Sequence, residues 1–514
     1  MRNRSKTLTL LETLFSTEPS GPVAQPGRAL GSHPRGPGFK SRPVHQTSST
    51  FQGCLSGVGR LKNLLANVVP LFIAGVLIST SSILYALNMC FKGLCDNLLY
   101  ISLAFLVLYE LSYLAPTLKG VKRKFRELIW NIKRTVMKPC FLTTLALAII
   151  HAYLGILWAR SFNEYVSDEV WYVSSARNVF KEFLGLNIGS YPYPQGHPGI
   201  ETYLNLEHPP LGKYIIGLSI MLLGDKPMYW RIPGIVEASL MIILAYFVSK
   251  KILGSEVAAI LASAILFLDP MVSSMRIVAM LDIHQAFFIA LAFASALYGK
   301  YRLAGVFTGL AGSVKYSGFF VVPALILHMA YSRRKAWEIL ETTIILPIIV
   351  FTLVNIPLIL HYGFYGLLSY IVWAFKWHVS YKNNPFIAPP WGWLYNMQPF
   401  VLKYGANGKP LLKAKTNPYI YPLILFTTVS STYLYTRSRR EKLILPHVWF
   451  WSYYLMYFVL YIIGGRSQEI FYATSMSFFI AVCVSTTLFA LIDHVFKRKI
   501  EYSIKPPEHS PPLF

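Results

Sequence analysis

The sequence FLTTLALAIIHAYLGILWARSFNEYVSDEVW, residues 141–171, joins a long apolar run to a strongly polar one. Its first part has the length of a membrane span, since roughly 20 apolar residues rising about 1.5 Å each match the hydrocarbon thickness. Similar apolar runs recur from Leu64 to Asp493. The short alternating segments typical of a membrane barrel are absent. We therefore predict an all-α polytopic membrane protein with about 12 transmembrane helices.

The composition also favours a membrane protein. Of the 514 residues, 54% are hydrophobic and 14% are charged, whereas about 25% of a soluble protein is charged. The net charge of +25 does not indicate a nucleic-acid partner here, because the cations cluster at the ends of apolar runs, as membrane topology requires. The five cysteines show no structural-metal spacing. Cys90 and Cys95 could pair in a short outer loop or remain thiols.

The predicted membrane spans alternate with loops of unequal charge. The spans are 64–87, 97–117, 141–159, 232–249, 254–269, 282–298, 303–314, 317–331, 342–361, 419–436, 443–463 and 471–491. The cationic clusters lie at Lys119–Lys138, Lys250-Lys251, Lys300–Arg302, Arg333–Lys335, Arg437–Lys442 and Lys497–Lys499. If each span crosses once, all of these clusters fall on one side, which predicts cytoplasmic termini. The predicted outer segments are 160–231, 270–281, Lys315–Tyr316, 362–418 and 464–470.

Composition divides the chain into five segments, which are 1–60, 61–139, 140–335, 336–499 and 500–514. The first is rich in Gly, Pro, Ser and Arg, which predicts disorder, and it has no signal-peptide core. It looks like a conceptual translation of a transfer-RNA gene, so we hypothesise that the true chain starts near Val58–Leu64. The second segment would hold two extra spans and a basic cytoplasmic stretch. The next two would carry the outer loops 160–231 and 362–418, and the last would be a cytoplasmic tail.

Two parts of the first outer loop are predicted to be helices at the membrane interface. Leu211–Gly224 is apolar but has only about 14 residues, too few to span, and it follows two prolines that favour a helix start. Trp171–Leu184 mixes apolar and charged residues, which is typical of an interfacial helix. The loop 362–418 combines lysines and tryptophans without an acidic residue. It is either an aromatic belt or a surface for lipid phosphate and a polyprenyl chain.

The polar residues of the outer segments are of the types needed to transfer a sugar from an anionic lipid. Asp168 and Glu169 are the candidate catalytic residues. Asp168 is the candidate base, since one carboxylate suffices to deprotonate an acceptor hydroxyl, and Glu169 would support it or contact the acceptor. The alternative for such a pair is plain solvation in a loop. Nearby cations would hold the departing phosphate. The cations predicted to contact the donor phosphate are Lys213, Arg231, Arg276 and Lys315.

Each of these cations also has a structural alternative. A lysine opening an interfacial helix can snorkel to headgroups, and an arginine before a span can anchor topology. A lysine at a helical break is costly unless it is paired or solvated, which favours a function for Lys315. Candidate substrate contacts are His208, Asp282, Arg466 and Gln468. Asp282 could instead cap a helix or form an ion pair, and no metal site is predicted.

Together, these residues resemble the protein O-mannosyltransferase family, within the GT-C superfamily of membrane glycosyltransferases. The motifs that carry the resemblance are Asp168-Glu169, His208–Lys213, Trp230–Gly234, Arg276–Asp282 and Lys315–Gly318. The resemblance implies a GT-C-like fold with its catalytic core in 140–335, and metal-independent inverting transfer from dolichyl-phosphate mannose to a Ser or Thr hydroxyl of a protein. It assigns the catalytic carboxylate to Asp168 and donor contacts to Arg231, Lys315 and Lys213.

The sequence also departs from that family. Its eukaryotic members carry a large β-trefoil domain in a late outer loop, and 362–418 is too short for one. Arg466–Tyr472 matches only in part, and two extra spans precede the core. Open alternatives are a transferase acting on a lipid or glycan, a transporter or flippase, and an inactive paralogue. The predicted partners are a polyprenyl-phosphate sugar, an acceptor and membrane lipids. A dimer is left open, and the predicted location is the plasma membrane with the site outside.

Overall fold

The computed structural model describes residues 138–380, 387–438 and 440–496, with isolated positions between 74 and 104. The predictions for the disordered first 60 residues, the first two spans, the basic stretch after them and the C-terminal tail concern residues almost wholly outside the described ones. The described part is helical apart from one small hairpin and the connecting loops. Five of its helical stretches are long and apolar enough to cross a membrane. An all-α membrane protein is thereby confirmed, whereas the number of spans stays a prediction.

The described helices are numbered from the one that follows Lys138. They are α1 Pro139–Arg160, α2 Glu169–Leu184, α3 Leu211–Leu223, α4 Pro227–Leu253, α5 Glu256–Phe267, α6 Pro270–Met275, α7 Leu281–Leu297, α8 Tyr301–Val314, α9 Val322–Tyr331, α10 Ala336–Leu340, α11 Leu346–Val354, α12 Ile356–Val379, α13 Pro390–Trp393, α14 Leu423–Ser438, α15 Leu445–Ile462 and α16 Thr474–Phe496. Short 3-10 turns cover Tyr316–Val321, Glu441–Leu443 and Ile470–Ala473, and a π turn, Glu341–Ile345, joins α10 to α11. The strands are β1 Phe400–Tyr404 and β2 Pro410–Ala414.

Several helices begin where the sequence supplies a recognised start signal. Prolines stand in the first turns of α1 and α4, where a missing N–H costs nothing. The Ser255 side chain accepts a hydrogen bond from the Ala258 N–H at the start of α5. Asp269 does the same for Val272 at the start of α6. These caps fix the points at which the chain turns back between helices.

Glycines let α8 approach the helical stretch that contains the π turn and α11. A Cβ at Gly305 would lie 2.4 Å from the Thr342 carbonyl oxygen, and one at Gly309 would lie 2.9 Å from that of Pro347. Backbones can come this close only where the side chain is absent, as small residues allow between membrane helices. The position of α8 matters because Lys315 follows directly after it.

The main correction concerns the predicted outer loop 362–418. Helix α12 runs through its first third, with a break at Gly363, whose φ of 73° is left-handed. Although α12 has the length of a span, Asn355 before it lines a small cavity with His208 and Lys213. His378 near its other end lines a cavity with Asp168. Both ends therefore lie beside the same site, so α12 does not carry the chain to the opposite side.

The remainder of that loop contains structure that sequence reasoning did not predict. Strands β1 and β2 pair antiparallel, with Phe400 opposite Ala414. An isolated bridge joins Ile387 to Glu469, and the Ala388 N–H donates to the Gln468 carbonyl at 2.7 Å. These contacts tie the loop to the segment after α15, which contributes to the site described below.

Candidate functional site

A polar cavity of about 500 Å³ opens where α2, the loop before α3, the end of α12 and the segment after α15 converge. Its lining residues are Asp168, Trp171, Tyr172, Tyr203, Asn205, Glu207, His208, Trp377, His378, Ser467, Glu469, Phe471 and Tyr472. Of the predicted site residues, Asp168 and His208 face this polar cavity. The size suits a small polar ligand, and the aromatic rings offer flat surfaces of the kind that pack against sugars.

Asp168 immediately precedes α2, at the N-cap position, but its side chain does not cap the helix. No capping hydrogen bond reaches its carboxylate, and the residue is half-buried on the wall of the polar cavity. The preceding Ser167 has a φ of 53°, a sparsely populated conformation that tends to occur at functional sites. The carboxylate is therefore left available to a ligand.

Burial raises the pKa of the Asp168 carboxyl to about 6. The nearby Asp282 carboxylate raises this pKa further, and the Lys315 ammonium lowers it. The raised value makes the carboxylate a better proton acceptor than an ordinary aspartate, while it stays mostly ionised at neutral pH. This is the balance that a general base requires.

Glu169 has a different environment although it is the next residue. It is fully buried and accepts two hydrogen bonds from Arg231, from Nε and Nη2, each at 2.7 Å. The backbone N–H groups of Val166 and Ala279 donate to the same carboxylate, each at 2.8 Å. Glu169 thus joins the start of α2 to α4 and to the turn before α7.

Arg231 has no donor left for a phosphate in this geometry. Its remaining N–H groups donate to the carbonyl oxygens of Ala159, Phe162 and Glu164 at 2.6–2.9 Å. All five guanidinium N–H groups are therefore engaged, and the side chain is fully buried. The structure places both Arg231 and Glu169 behind the cavity wall, where they hold Asp168 in position, rather than at the predicted donor and catalytic positions.

A second buried pair supports the same loop and was not predicted from the sequence. Arg177 Nη2 donates to Asp225 Oδ1 at 2.8 Å, and Trp230 Nε1 donates to the same oxygen at 2.8 Å. The other oxygen of Asp225 accepts from the backbone N–H groups of Ser190 and Tyr191. A helix-flanking Asp225 gives no sequence signal for this role, because three of its four partners lie 34 to 48 residues away.

Lys213 also turns inward instead of reaching the membrane surface. Its Nζ donates to the carbonyl oxygens of Leu204, Asn205 and His208 at 3.3, 2.6 and 2.8 Å. The residue is only 1% exposed, which excludes the snorkelling alternative in this conformation. Lys213 fixes the turn that presents Glu207 and His208 to the polar cavity, and it does not itself line that cavity.

Lys315 and Asp282 form a buried ion pair, and Lys315 also lines a second cavity. Lys315 Nζ lies 2.9 Å from Asp282 Oδ1 and 4.4 Å from the centre of the Tyr472 ring. Both charged side chains are almost completely buried. The chain leaves α8 at Lys315 in an extended conformation, so the ammonium projects from a helix end, as the sequence predicted for this break.

The second cavity, of about 330 Å³, is mostly apolar and adjoins the polar one. Lys315, His208, His378 and Tyr472 line it together with aliphatic and aromatic side chains, and the last three of these residues also line the polar cavity. A cation thus lines the apolar groove next to Tyr472, a residue that also lines the polar pocket. This arrangement fits an amphipathic ligand with an anionic group between its two parts.

The remaining candidates lie outside both cavities. Arg276 is buried, and its Nε and Nη1 have no hydrogen-bond partner among the described residues. Arg466 is exposed, with its guanidinium 5.9 Å from the Tyr461 ring centre. Gln468 Nε2 donates to the carbonyl oxygens of Tyr457 and Gly465. Gln468 therefore shapes the segment that carries Glu469 and Tyr472 without lining a cavity.

Sequence reasoning missed several residues that line the polar cavity, notably Glu207, His378 and Glu469. Glu207 stands next to the singled-out His208, and Glu469 lies within the late segment that resembled the family in part, so both were within reach. His378 gave no signal because it lies in a helix that was read as a loop. In the described ranges, no three His, Cys, Asp or Glu side chains are grouped as metal ligands.

Three solved structures resemble this one in part. ArnT from Cupriavidus metallidurans, bound to undecaprenyl phosphate, has a TM-score of 0.43 at 15% identity and covers 69% of this chain and 61% of its own. The Archaeoglobus fulgidus oligosaccharyltransferase in its apo form has a TM-score of 0.42 at 14% identity, with 69% and 51% covered. The S. cerevisiae Pmt1-Pmt2 complex bound to the sugar donor has 0.32 at 17%, with 50% and 36% covered. These three scores lie below 0.5, so the likeness implies no shared activity.

Two sequence matches concern the same family. Residues 207–361 match the family described as dolichyl-phosphate-mannose-protein mannosyltransferase. Over 205 residues, 34% of this chain, the sequence is 24% identical to the polyprenol-phosphate-mannose–protein mannosyltransferase of Corynebacterium glutamicum, and it spans 38% of that relative's length. Asp168 lies before the family match, so its assignment rests on the geometry above. The two matches confirm the resemblance carried by the motifs, and they support a membrane glycosyltransferase similar to the dolichyl-phosphate-mannose-protein mannosyltransferases.

Proposed function

We propose that this protein is an inverting, GT-C-like glycosyltransferase that moves a sugar from a polyprenyl phosphate to a hydroxyl acceptor. The observation that carries the proposal is the pair of adjoining cavities, with Lys315 lining the apolar one and lying against Tyr472, which lines both. The apolar cavity would take the first isoprenoid units, and the polar cavity would take the sugar and the acceptor hydroxyl. A transporter has no need of a base beside a sugar-sized pocket, and no observation here favours that alternative.

The residues divide the chemistry between them. Asp168 accepts the proton of the acceptor hydroxyl while that oxygen attacks the anomeric carbon. The bond from the anomeric carbon to the phosphate oxygen breaks with its electron pair going to the phosphate. Lys315 stabilises the negative charge that the polyprenyl phosphate carries away. One displacement from the face opposite the leaving group inverts the anomeric configuration.

The proposed identities of the sugar and the acceptor rest on the name of the Corynebacterium glutamicum relative. Its name specifies a polyprenol-phosphate mannose donor and a protein acceptor, so we propose mannose as the sugar and a Ser or Thr hydroxyl of a protein as the acceptor. A lipid or glycan acceptor remains the second candidate, because the polar cavity has space for either hydroxyl. We further propose that transfer needs no divalent metal, so EDTA should leave the turnover unchanged.

The proposed site faces away from the cytoplasm. The described cationic clusters Lys250-Lys251, Lys300–Arg302 and Arg333–Lys335 lie at the ends of α4, α8 and α9 that are remote from the site. Such clusters mark the cytoplasmic side. The surrounding membrane would be the plasma membrane. A second copy of the chain in a dimer is not required by the cavities described, since residues of one chain line both of them.

Replacement of the proposed base tests this function. Asp168→Asn keeps the shape of the side chain but removes its basicity, so we expect a loss of turnover by a factor of about 10²–10⁴. Binding of a polyprenyl-phosphate mannose should persist. The assay would use purified full-length protein, labelled donor and a Ser/Thr-rich peptide.

Glu201→Gln provides a matched control, because Glu201 is an exposed carboxylate of the same outer loop. Its activity should stay near that of the unmodified protein. Normal turnover by Asp168→Asn would remove Asp168 from the mechanism. Movement of donor between leaflets without any transfer would support the flippase alternative.

A further inference from the structure

A large cavity lies at the end of α8 opposite to Lys315. It has a volume of about 810 Å³ and is bounded by the turn from α7 to α8, the end of α9, and the stretch from α10 into α11. Helix α8 has 14 residues, so its two ends are about 21 Å apart at about 1.5 Å per residue. This cavity is therefore distinct from the two cavities of the proposed transferase site.

Cations dominate the rim of this cavity. Lys300, Arg302, Arg334 and Lys335 all line it, against the two carboxylates of Glu338 and Glu341. Those carboxylates are already engaged, because Glu341 pairs with Arg302 and Glu338 lies 3.8 Å from Arg334. These pairs orient the two arginines around the opening. The two lysines have no carboxylate of the rim to pair with.

Lys300 and Lys335 supply the uncompensated charge. Both are exposed, and within the described ranges neither ammonium has a carboxylate at ion-pair distance. Two positive charges on one rim attract an anion, and a lysine ammonium is a strong partner for phosphate. A single exposed lysine could simply be solvated by water. Two lysines that line the same concave surface favour a bound anionic ligand.

Apolar side chains also line the cavity. They are Leu303, Val306 and Leu346, together with Trp337, which has 39% of its surface exposed. Tryptophan is enriched at the depth of lipid headgroups. A phosphate at the rim and hydrocarbon below it describe the headgroup end of a phospholipid more closely than a soluble anion.

The π turn at Glu341–Ile345 helps to form this surface. It interrupts the helical stretch from Ala336 to Val354 at the point where Glu341 and Thr342 line the cavity. Such insertions widen a helix by one residue and often occur at functional sites. The turn directs the buried Glu341 carboxylate toward Arg302 and so fixes one side of the rim.

We infer that this cavity binds the phosphate headgroup of an anionic phospholipid of the cytoplasmic leaflet. The charge pattern of the loops puts Lys300–Arg302 and Arg333–Lys335 on the cytoplasmic side, where anionic lipids attract basic residues. The chain's own stretch 118–138 is rich in lysine and arginine, so it lacks the complementary charge. This inference is independent of the transferase proposal.

Native mass spectrometry of the full-length protein in detergent tests the site. Titration with phosphatidylglycerol and with phosphatidylcholine should show about a tenfold or greater preference for the anionic lipid. The double variant Lys300→Gln, Lys335→Gln should lose most of that preference. Since both lysines are exposed, this variant should fold normally, which its circular dichroism would verify.

The control is Lys497→Gln, Lys499→Gln, which removes two cations from another predicted cytoplasmic cluster. It should keep the preference for phosphatidylglycerol. Equal binding of the two lipids, or the same loss in both double variants, would overturn the inference, because either result indicates nonspecific attraction.

Discussion

Asp168 and Glu169 show how two adjacent carboxylates acquire different roles. Glu169 accepts hydrogen bonds from a fully engaged arginine and from two backbone groups. Within the part of the chain that the structure describes, the Asp168 carboxylate makes no capping hydrogen bond, and it faces a cavity. The sequence analysis named Asp168 as the candidate base and gave Glu169 a supporting or acceptor-binding role. It could not predict that Glu169 is buried against Arg231, because adjacent residues at a helix start point in different directions. The same limit applies to Arg231 and Lys213, whose partners are mostly backbone carbonyls, which are invisible in a sequence pattern.

The pH dependence of the reaction follows from the pKa of Asp168. Burial raises this pKa to about 6, and the base must be ionised to act. The value of kcat/KM should therefore be constant above that pH and fall by about tenfold per unit below it. Removing the neighbouring charge in Asp282→Asn should lower the pKa of Asp168 and move this acidic limb to lower pH.

A pH profile of the purified protein measures both effects. His208 and His378 line the same cavity, and histidines also titrate near this range. His378→Gln is the control, and it should leave the limb where it is. If the limb disappeared in His378→Gln and did not move in Asp282→Asn, the titrating group would be the histidine rather than Asp168.

Arg231 should matter for stability more than for donor affinity. Arg231→Met would leave the Glu169 carboxylate buried without its partner, which typically costs about 3–5 kcal/mol. We expect a clearly lower thermal unfolding temperature in detergent. Donor affinity of the fraction that remains folded should change little, since the guanidinium lies behind the cavity wall.

Arg160→Met is the matched control, because Arg160 is an exposed arginine at the end of α1. It should unfold at the same temperature as the unmodified protein. If Arg231→Met instead left the unfolding temperature unchanged and weakened donor binding, Arg231 would be a contact of the donor phosphate, as the sequence suggested.

At the scale of elements, the apolar runs that fall within the described residues all correspond to helices, and α3 has the short length expected of Leu211–Gly224. Apolar periodicity predicts such helices well. The same reasoning missed most of α12, because its two tryptophans and its single lysine match an interfacial loop as well as a helix, and because Gly363 breaks it. It also missed the hairpin of β1 and β2, whose short strands carry little alternation of apolar and polar residues.

The turn that carries Lys315 depends on Gly318. A Cβ at this position would lie 2.2–2.4 Å from the backbone atoms of Ala311 and Gly312. Gly318→Ala must therefore push the 3-10 turn away from α8 and move Lys315 with it. We expect a destabilisation of about 1–3 kcal/mol together with a raised KM for the donor.

Gly405→Ala supplies the comparison, since Gly405 lies in the outer hairpin, where a Cβ would first meet the exposed Asn407 side chain at 3.3 Å. Unfolding temperature and donor KM should both stay near the unmodified values in this variant. Unchanged values for Gly318→Ala as well would mean that the turn does not fix the position of Lys315.

At the scale of the whole molecule, the membrane protein predicted from composition along the chain is confirmed, and the sidedness of its charges stays a prediction. It could not predict the cavities. The polar cavity brings together Trp171, Glu207, His378 and Glu469, which are separated by up to about 300 residues along the chain. Only tertiary packing places such residues together, and no local periodicity in the sequence indicates that they will meet.

The sidedness of the two ends of α8 is the prediction on which the whole arrangement depends. Single cysteines at Glu201 and Lys409, both exposed and both in predicted outer segments, should react with a membrane-impermeant maleimide in intact cells. A cysteine at the exposed Lys335, on the cationic side, should react only after the cells are permeabilised. The background must lack the five native cysteines. Labelling of position 335 but not 201 in intact cells would place Asp168 in the cytoplasm, where a transferase acting on exported acceptors could not work.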